Sequence, residues 1–268
     1  MAHVQLDLEV LDMKILASDL DGTLYFGEEE QKLKPQDVKA IKEFQKQGNL
    51  FGICSGRTYA GIRNALDGLD VKLDFYILGS GSMLANADGS YIYQNLLQKD
   101  VISRIIDQII SYNVRILFCH ERTYFVIEKN NTEDVSIRHR VIQSMDQAEF
   151  DLYDSLHLAF KTMEELEEVK ALLKTKFSDE IEVHHNVLNL DITPKNCSKG
   201  IAIKTLDQYL PVNYEDIYVI GDSYNDISMF EAAKTAFSFH RSDDIVNEKA
   251  THLVDEFAEA IKEICKDA

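Results

Sequence analysis

Lys14-Ile15-Leu16-Ala17-Ser18-Asp19-Leu20-Asp21-Gly22-Thr23 is the stretch on which the reading of this chain turns. Its first half, Lys14–Ser18, is an apolar run of strand length, the kind expected of a strand covered on both faces in a parallel sheet. Its second half sets two carboxylates at the end of that strand. Residues two apart in extended backbone share a face, so Asp19 and Asp21 flank one site. At neutral pH they repel unless a cation sits between or beside them. Gly22 permits a tight turn and lets backbone N–H groups approach an anion. Alone, Asp-x-Asp-Gly would also suit a loop that caps a helix. Its partners elsewhere in the chain weaken that reading.

The first partner is Ile217–Ile220, another apolar run, which ends in Gly221-Asp222-Ser223-Tyr224-Asn225-Asp226. Asp222 and Asp226, four apart, would face the same way if a helix has begun by Asp222. A helix N-terminus attracts acids in any protein, which explains one of them but not the matching pair at Asp19 and Asp21. Strand C-termini of a parallel sheet meet in one crevice, where ligands bind. Carboxylates converging there are costly unless they hold a hard cation, and oxygen-only ligands point to Mg²⁺ rather than zinc.

Two further stretches join them. Leu50–Cys54 ends in Ser55-Gly56-Arg57, where a hydroxyl and adjacent backbone amides suit a phosphoryl oxygen. A cysteine-based phosphatase loop is excluded, because the position where its arginine would stand is Ala60. Lys199, in Asn196-Cys197-Ser198-Lys199-Gly200, opens a helix, where the dipole disfavours a cation. Its functional reading is to offset the carboxylates and contact the phosphate. Gly79-Ser80-Gly81 is not a dinucleotide loop, since that motif needs glycine where Leu84 stands.

Strand and helix signals alternate through Leu78, and a Gly79-Ser80-Gly81-Ser82 turn follows. The texture then changes to hairpins and helices: Met83–Ala85 with Tyr91–Tyr93, a helix over Asp100–Ser111, Val114–Cys119 with Thr123–Glu128, Leu156–Lys161, a helix over Met163–Phe177, and Ile181–His184 with Val187–Ile192. Alternation resumes at Lys199–Leu210, Ile217–Ile220, Asp226–Ala233 and Ala236–Phe239. The expectation is an α/β core, residues 1–82 and 193–268, interrupted by an α+β insert, 83–192. Within the insert His120, Tyr124, His157, His184, His185, Asn189 and Asp191 are the side chains able to face a substrate. Residues 1–12 form a leader with no readable role.

Composition narrows the partners. Of 268 residues 28 are basic and 46 acidic, a net charge of -18, which disfavours nucleic acid and anionic membranes. The four cysteines form no CxxC pair, so neither a zinc ribbon nor a disulfide scaffold is expected. No run approaches a membrane span, and the N-terminus lacks the features of a signal peptide. The expectation is a cytoplasmic protein; nothing in the sequence speaks to its oligomeric state.

Together, Asp19-x-Asp21-Gly22-Thr23, Ser55 with Arg57, Lys199 and Gly221-Asp222-x-x-Asn225-Asp226 resemble the haloacid dehalogenase superfamily, most closely its Cof-type phosphatases with a large inserted cap. Thr193-Pro194-Lys195 is similar to that subgroup as well. Gly79-Ser80-Gly81-Ser82 departs from it, since an Asn-Gly-Ala is frequent after the third strand. The resemblance implies a doubly wound α/β core under an α+β cap, and a Mg²⁺-dependent phosphatase that forms an aspartyl-phosphate on small phosphorylated metabolites, sugar phosphates first among them. Asp19 would be the nucleophile and Asp21 the general acid and base. The Asp19 carboxylate, the Asp21 carbonyl and Asp222 would hold Mg²⁺, with Asp226 in support. Ser55, Asn225 and Lys199 would hold the phosphoryl oxygens, beside Gly22, Gly56 and Arg57. A phosphomutase and an inactive metabolite-binding regulator are the alternatives.

Overall fold

The computed structural model describes residues 13–121, 123–127 and 139–266; the leader, 1–12, and Glu128 lie outside the described residues. An eight-stranded sheet runs in the order His252–Val254, Thr235–Phe239, Ile217–Ile220, Ile15–Ser18, Leu50–Cys54, Phe75–Leu78, Met83–Asn86, Tyr91–Gln94. The first six strands pair in parallel and the last two antiparallel. The strands of the opening motif lie at the centre, which is why Ile15–Ser18 and Ile217–Ile220 are buried at every position. Alternate residues feed two apolar layers. Leu16, Phe51, Ile220 and Phe237 pack with the helices Pro35–Lys46 and Phe257–Lys266. Ile15, Ala17, Val219 and Ala236 pack with Ala202, Ile203, Met229 and Phe230 on the other side. This is the covered, doubly wound arrangement that continuous apolar strands require.

The Met83–Gln94 hairpin continues the large sheet through Phe75–Leu78 instead of joining the insert expected from residue 83. Its antiparallel signal is genuine; what sequence pattern cannot show is that the hairpin zips onto the edge strand before it. The second sheet has six strands: Ile181–Asn186, Asn189–Pro194, Ser155–Phe160, Val114–His120, Thr123–Ile127 and His139–Val141. The helices Lys99–Ile109 and Met163–Lys176 cover one of its faces, packing Ile102, Ile105, Val169 and Leu173 against Phe118, Leu156, Leu158, Leu190 and Ile192. The residues between those, among them Leu117, His157, Asn189 and Asp191, therefore project from the other face, which roofs the crevice of the first sheet.

One buried acid gives the core a pH dependence. Asp37, in the first turn of its helix, is 1% exposed and accepts from the Ala258 N–H at 3.0 Å. Burial pushes its carboxyl up to about 6. Because the folded value lies above the unfolded one, this group favours folding most below the ordinary carboxylate range and loses that contribution as pH rises towards 6. Between pH 4 and 7 the stability of wild type relative to Asp37→Asn is expected to fall by about 2 to 3 kcal/mol. Paired denaturation curves at the two pH values measure it; a difference that stays constant would contradict the assignment.

Candidate active site

The Ile15–Ser18 strand ends where the Asp19 N–H bonds the Ile220 carbonyl at 2.9 Å, so the two acid-bearing turns are stitched together at their base. The chain then folds tightly: Leu24 and Tyr25 N–H both reach the Leu20 carbonyl, and Gly22 N–H reaches that of Tyr25. Gly22 sits at φ +84°, and a Cβ there would lie 2.6 Å from Asp222 Oδ2. Glycine is required on both counts, by backbone conformation and by the approach of Asp222. Thr23 donates its hydroxyl to Asp222 Oδ1 at 2.5 Å, fixing that carboxylate from across the sheet. Arg241 donates to the Gly22 carbonyl at 2.5 Å. Sequence reasoning gave Thr23 no role and did not find Arg241.

Beneath this turn lies a buried ionic cluster. Lys199 is 1% exposed and donates to Asp19 Oδ1 at 2.5 Å and to Asp226 Oδ1 at 2.6 Å. The other oxygen of Asp226 accepts the N–H groups of Asp222 and Ser223, each at 3.0 Å. Asp222 and Asp226 are therefore not two ligands on one helix face as their spacing suggested. Asp222 precedes the helical segment, which begins with a 3₁₀ turn at Tyr224–Asp226, and Asp226 turns back to tie the loop to Lys199. The helix expected over Lys199–Leu210 is regular only to Lys204, and a 3₁₀ turn follows. Ser198 caps it, accepting from Ile201 N–H.

One ammonium thus faces the acids Asp19, Asp222 and Asp226, whose oxygens approach one another within 4.8 Å. Burial and the two neighbouring carboxylates push Asp19 well up, against the pull of Lys199. Burial likewise raises Asp222. The same carboxylates hold Lys199 charged despite its own burial. The two partners point the same way once the excess is counted: the site carries more negative charge than one lysine answers. A hard cation would relieve it, and the all-oxygen donor set fits Mg²⁺. Asp19, Asp222 and Asp226 are the groups that could hold it; Asp19 and Asp222 each keep an oxygen free of the contacts described above, whereas both oxygens of Asp226 already accept hydrogen bonds. Cys54, close enough to feel Lys199, is an inert thiol pushed up to about 12 by burial.

Above the cluster a cavity of about 520 Å³ opens between the sheets. Its floor includes Asp19, Asp21, Ser55, Gly56, Arg57 and Asn225. Asp21 stands apart from the buried acids, with both oxygens held by Arg57 at 2.7 Å. Ser55 is buried and its Oγ accepts from the Arg57 N–H at 3.2 Å. Asn225 Oδ1 is buried without a partner among the described residues, a polar atom that invites a ligand. Of the candidates in the insert, Tyr124, His157, Asn189 and Asp191 line the roof. His120, His184 and His185 do not. His120 stacks on Phe150 at 3.9 Å, His184 is tied to Thr193 and the Cys197 carbonyl, and His185 bonds the Val187 carbonyl. Asn186 and Val187, also at the cavity, went unnoticed because a turn tip carries no motif.

Comparison with known proteins identifies the family. Residues 16–260 match the family model of the haloacid dehalogenase-like hydrolases. The chain is 26% identical over 247 residues to a 5-amino-6-(5-phospho-D-ribitylamino)uracil phosphatase of Bacillus subtilis, covering 92% of each chain. It is 24% identical over 222 residues to an HMP-PP phosphatase of Yersinia pseudotuberculosis, covering 81% of this chain and 80% of that one. Among solved structures, a putative HAD/COF-like hydrolase from Plasmodium vivax superposes with a TM-score of 0.83 at 21% identity, over 96% of this chain and 97% of the other.

Proposed function

The chain belongs to the haloacid dehalogenase-like hydrolases, and we propose that it is a Mg²⁺-dependent phosphatase that hydrolyses small phosphorylated metabolites through an aspartyl-phosphate. The observation that carries this reading is Asp19: a carboxylate at a strand end, gripped through one oxygen by buried Lys199 and opening on a cavity beside a second carboxylate, Asp21. Lys199 fixes the rotation of the Asp19 carboxylate that attacks phosphorus. The new bond is Asp19 O–P; the bond that breaks joins phosphorus to the leaving oxygen, which takes a proton from Asp21. Water then attacks phosphorus while Asp21 accepts its proton, the Asp19 O–P bond breaks, and phosphate leaves. Two such steps are each easier than direct hydrolysis. Ser55, Asn225 and the amides around Gly22 and Gly56 face the phosphoryl oxygens, and Arg57 orients Asp21. Mg²⁺, held by Asp19 and Asp222 with the Asp21 carbonyl, would neutralise charge where an anionic nucleophile meets an anionic phosphate.

Sugar phosphates are the substrates this reading favours. The roof offers hydrogen-bonding groups, and one relative is named for a ribityl phosphate, a phosphorylated polyol chain. The two relatives are named for different substrates, so neither is assigned to this chain. No described helix is long and apolar enough to cross a membrane.

The test is phosphate release from a metabolite panel with Mg²⁺. A phosphomutase on the same scaffold would return the phosphate to substrate and release none. EDTA is expected to take activity to background and Mg²⁺ to restore it. Ca²⁺ is expected to bind yet support little turnover, its looser geometry relaxing in-line alignment. Activity that needs zinc and ignores Mg²⁺ would contradict the metal assignment. Asp21→Asn should keep the fold and lose roughly 10²–10⁴-fold in kcat, the usual worth of a general acid; a smaller loss would assign the proton transfers elsewhere.

A further inference from the structure

Every candidate substrate of a phosphatase shares the phosphoryl group, so discrimination rests on the part of the cavity that meets the leaving group. Here that part is the open face of the six-stranded sheet. Leu117, His157, Asp191 and His184 lie in one register row across four strands, and Asn189, two residues before Asp191, shares its face. His157 Nδ1 and Asp191 Oδ1 are 2.6 Å apart. The second Asp191 oxygen points to the floor: a Cβ on Gly56 would lie 2.9 Å from Asp191 Oδ2. Asp191 therefore reaches down to the Ser55-Gly56-Arg57 turn that faces the phosphate.

Among the described residues lining the cavity, this face presents one carboxylate, Asp191. No lysine or arginine of the six-stranded sheet is among the described residues lining the cavity. Arg115 lies on the same face in the next row, opposite Ala159, but does not line the cavity. Burial holds His184 towards its neutral form. His157 is spent on Asp191, and on the floor Arg57 is spent on Asp21. The remaining roof groups at the cavity are the Tyr124 hydroxyl, itself bonded to Thr58 at 2.9 Å, the amides Asn186 and Asn189, and the apolar Leu117 and Val187.

We propose that this roof selects phosphate monoesters whose leaving group is uncharged or cationic and donates hydrogen bonds, that it rejects esters carrying a second anion, and that Asp191, held by His157, is the residue that makes the distinction. The proposal rests on the phosphatase reading and narrows its substrate class. An amine or hydroxyl on the leaving group meets the Asp191 carboxylate as a charge-assisted partner. A carboxylate or second phosphate meets a like charge with no uncommitted lysine or arginine among the described lining residues to answer it, the repulsive element that specificity requires.

The test uses the full chain with Mg²⁺ and three matched esters: glucosamine 6-phosphate, glucose 6-phosphate and 6-phosphogluconate. The expected order of kcat/KM places the amine and the neutral sugar above the carboxylate by on the order of 10²-fold, the scale of an unscreened like-charge contact. Asp191→Glu should keep the gap and Asp191→Asn should close most of it. Asn189→Lys, at an exposed position of the same strand face, should raise 6-phosphogluconate and not the other two. A wild type that favours 6-phosphogluconate, or a gap that Asp191→Asn leaves unmoved, overturns the proposal. Calorimetric binding of the same three esters to Asp19→Asn separates the two ideas. The ranking in binding without any hydrolysis, p-nitrophenyl phosphate included, upholds the roof and sinks the phosphatase reading. Hydrolysis without the ranking does the reverse.

Discussion

Asp19→Asn is expected to leave a folded protein that releases no phosphate above background, a loss on the order of 10⁴–10⁶-fold, as when a covalent nucleophile is removed. The amide matches the carboxylate in shape but is a poor nucleophile. Its effect on stability should be small. Asp19 sits among too many negative charges, with burial and two acids pushing it up, so losing its charge relieves repulsion even as it costs Lys199 a partner. The melting temperature should stay within a few degrees while turnover vanishes, a separation that a merely structural Asp19 would not give. Steady-state phosphate release and a thermal melt on one preparation decide the matter. Substantial turnover in Asp19→Asn would sink the covalent mechanism, and attention would pass to Asp21 as base for direct attack by water.

The site was legible in the sequence wherever it follows from strand ends. Ile15–Ser18, Leu50–Cys54 and Ile217–Ile220 are mainly apolar because both faces are covered, and each delivers its polar turn to the same edge of the sheet. Illegible were contacts joining positions far apart in sequence. Thr23 orients Asp222 across 199 residues, and a threonine after Gly22 carries no sign of it. Spacing put Asp222 and Asp226 on one helical face, but Asp222 precedes the 3₁₀ turn that begins the helical segment, and Asp226 bonds Lys199 and its own loop. Alternation in Ser155–Phe160 and Asn189–Pro194 separates the two faces of the second sheet. It does not say which face is roofed by helices and which overhangs the crevice, so His157 and Asp191 could be named but not paired. The Met83–Gln94 hairpin is visible as a hairpin in the sequence, but its edge pairing with Phe75–Leu78 leaves no local trace there.

Lys199→Met is expected to cost both fold and function, and by separable routes. The substitution keeps most of the side-chain volume and removes the ammonium that bonds Asp19 and Asp226. Deleting one partner of a buried ionic cluster leaves the others uncompensated, typically at about 3–5 kcal/mol. For a chain of this size that lowers the melting temperature by roughly 10 °C. The loss should depend on pH. In wild type the cluster holds Lys199 charged well beyond the ordinary lysine range, so its contribution is present at all pH values below that range. In the variant Asp19 loses the neighbour that most lowers it, and burial then favours the neutral acid, so stability returns as pH falls. The deficit against wild type should be larger at pH 8 than at pH 5. Adding Asp226→Asn to Lys199→Met removes one of the stranded charges and should recover part of the stability, a coupling that a double-mutant cycle measures. It should recover no turnover, because nothing then fixes the rotation of Asp19. Equal melting temperatures for Lys199→Met and wild type at pH 8 would mean that the cluster does not bear on the fold. Turnover restored in the double variant would mean that Lys199 serves the fold alone and that Asp19 attacks without being held.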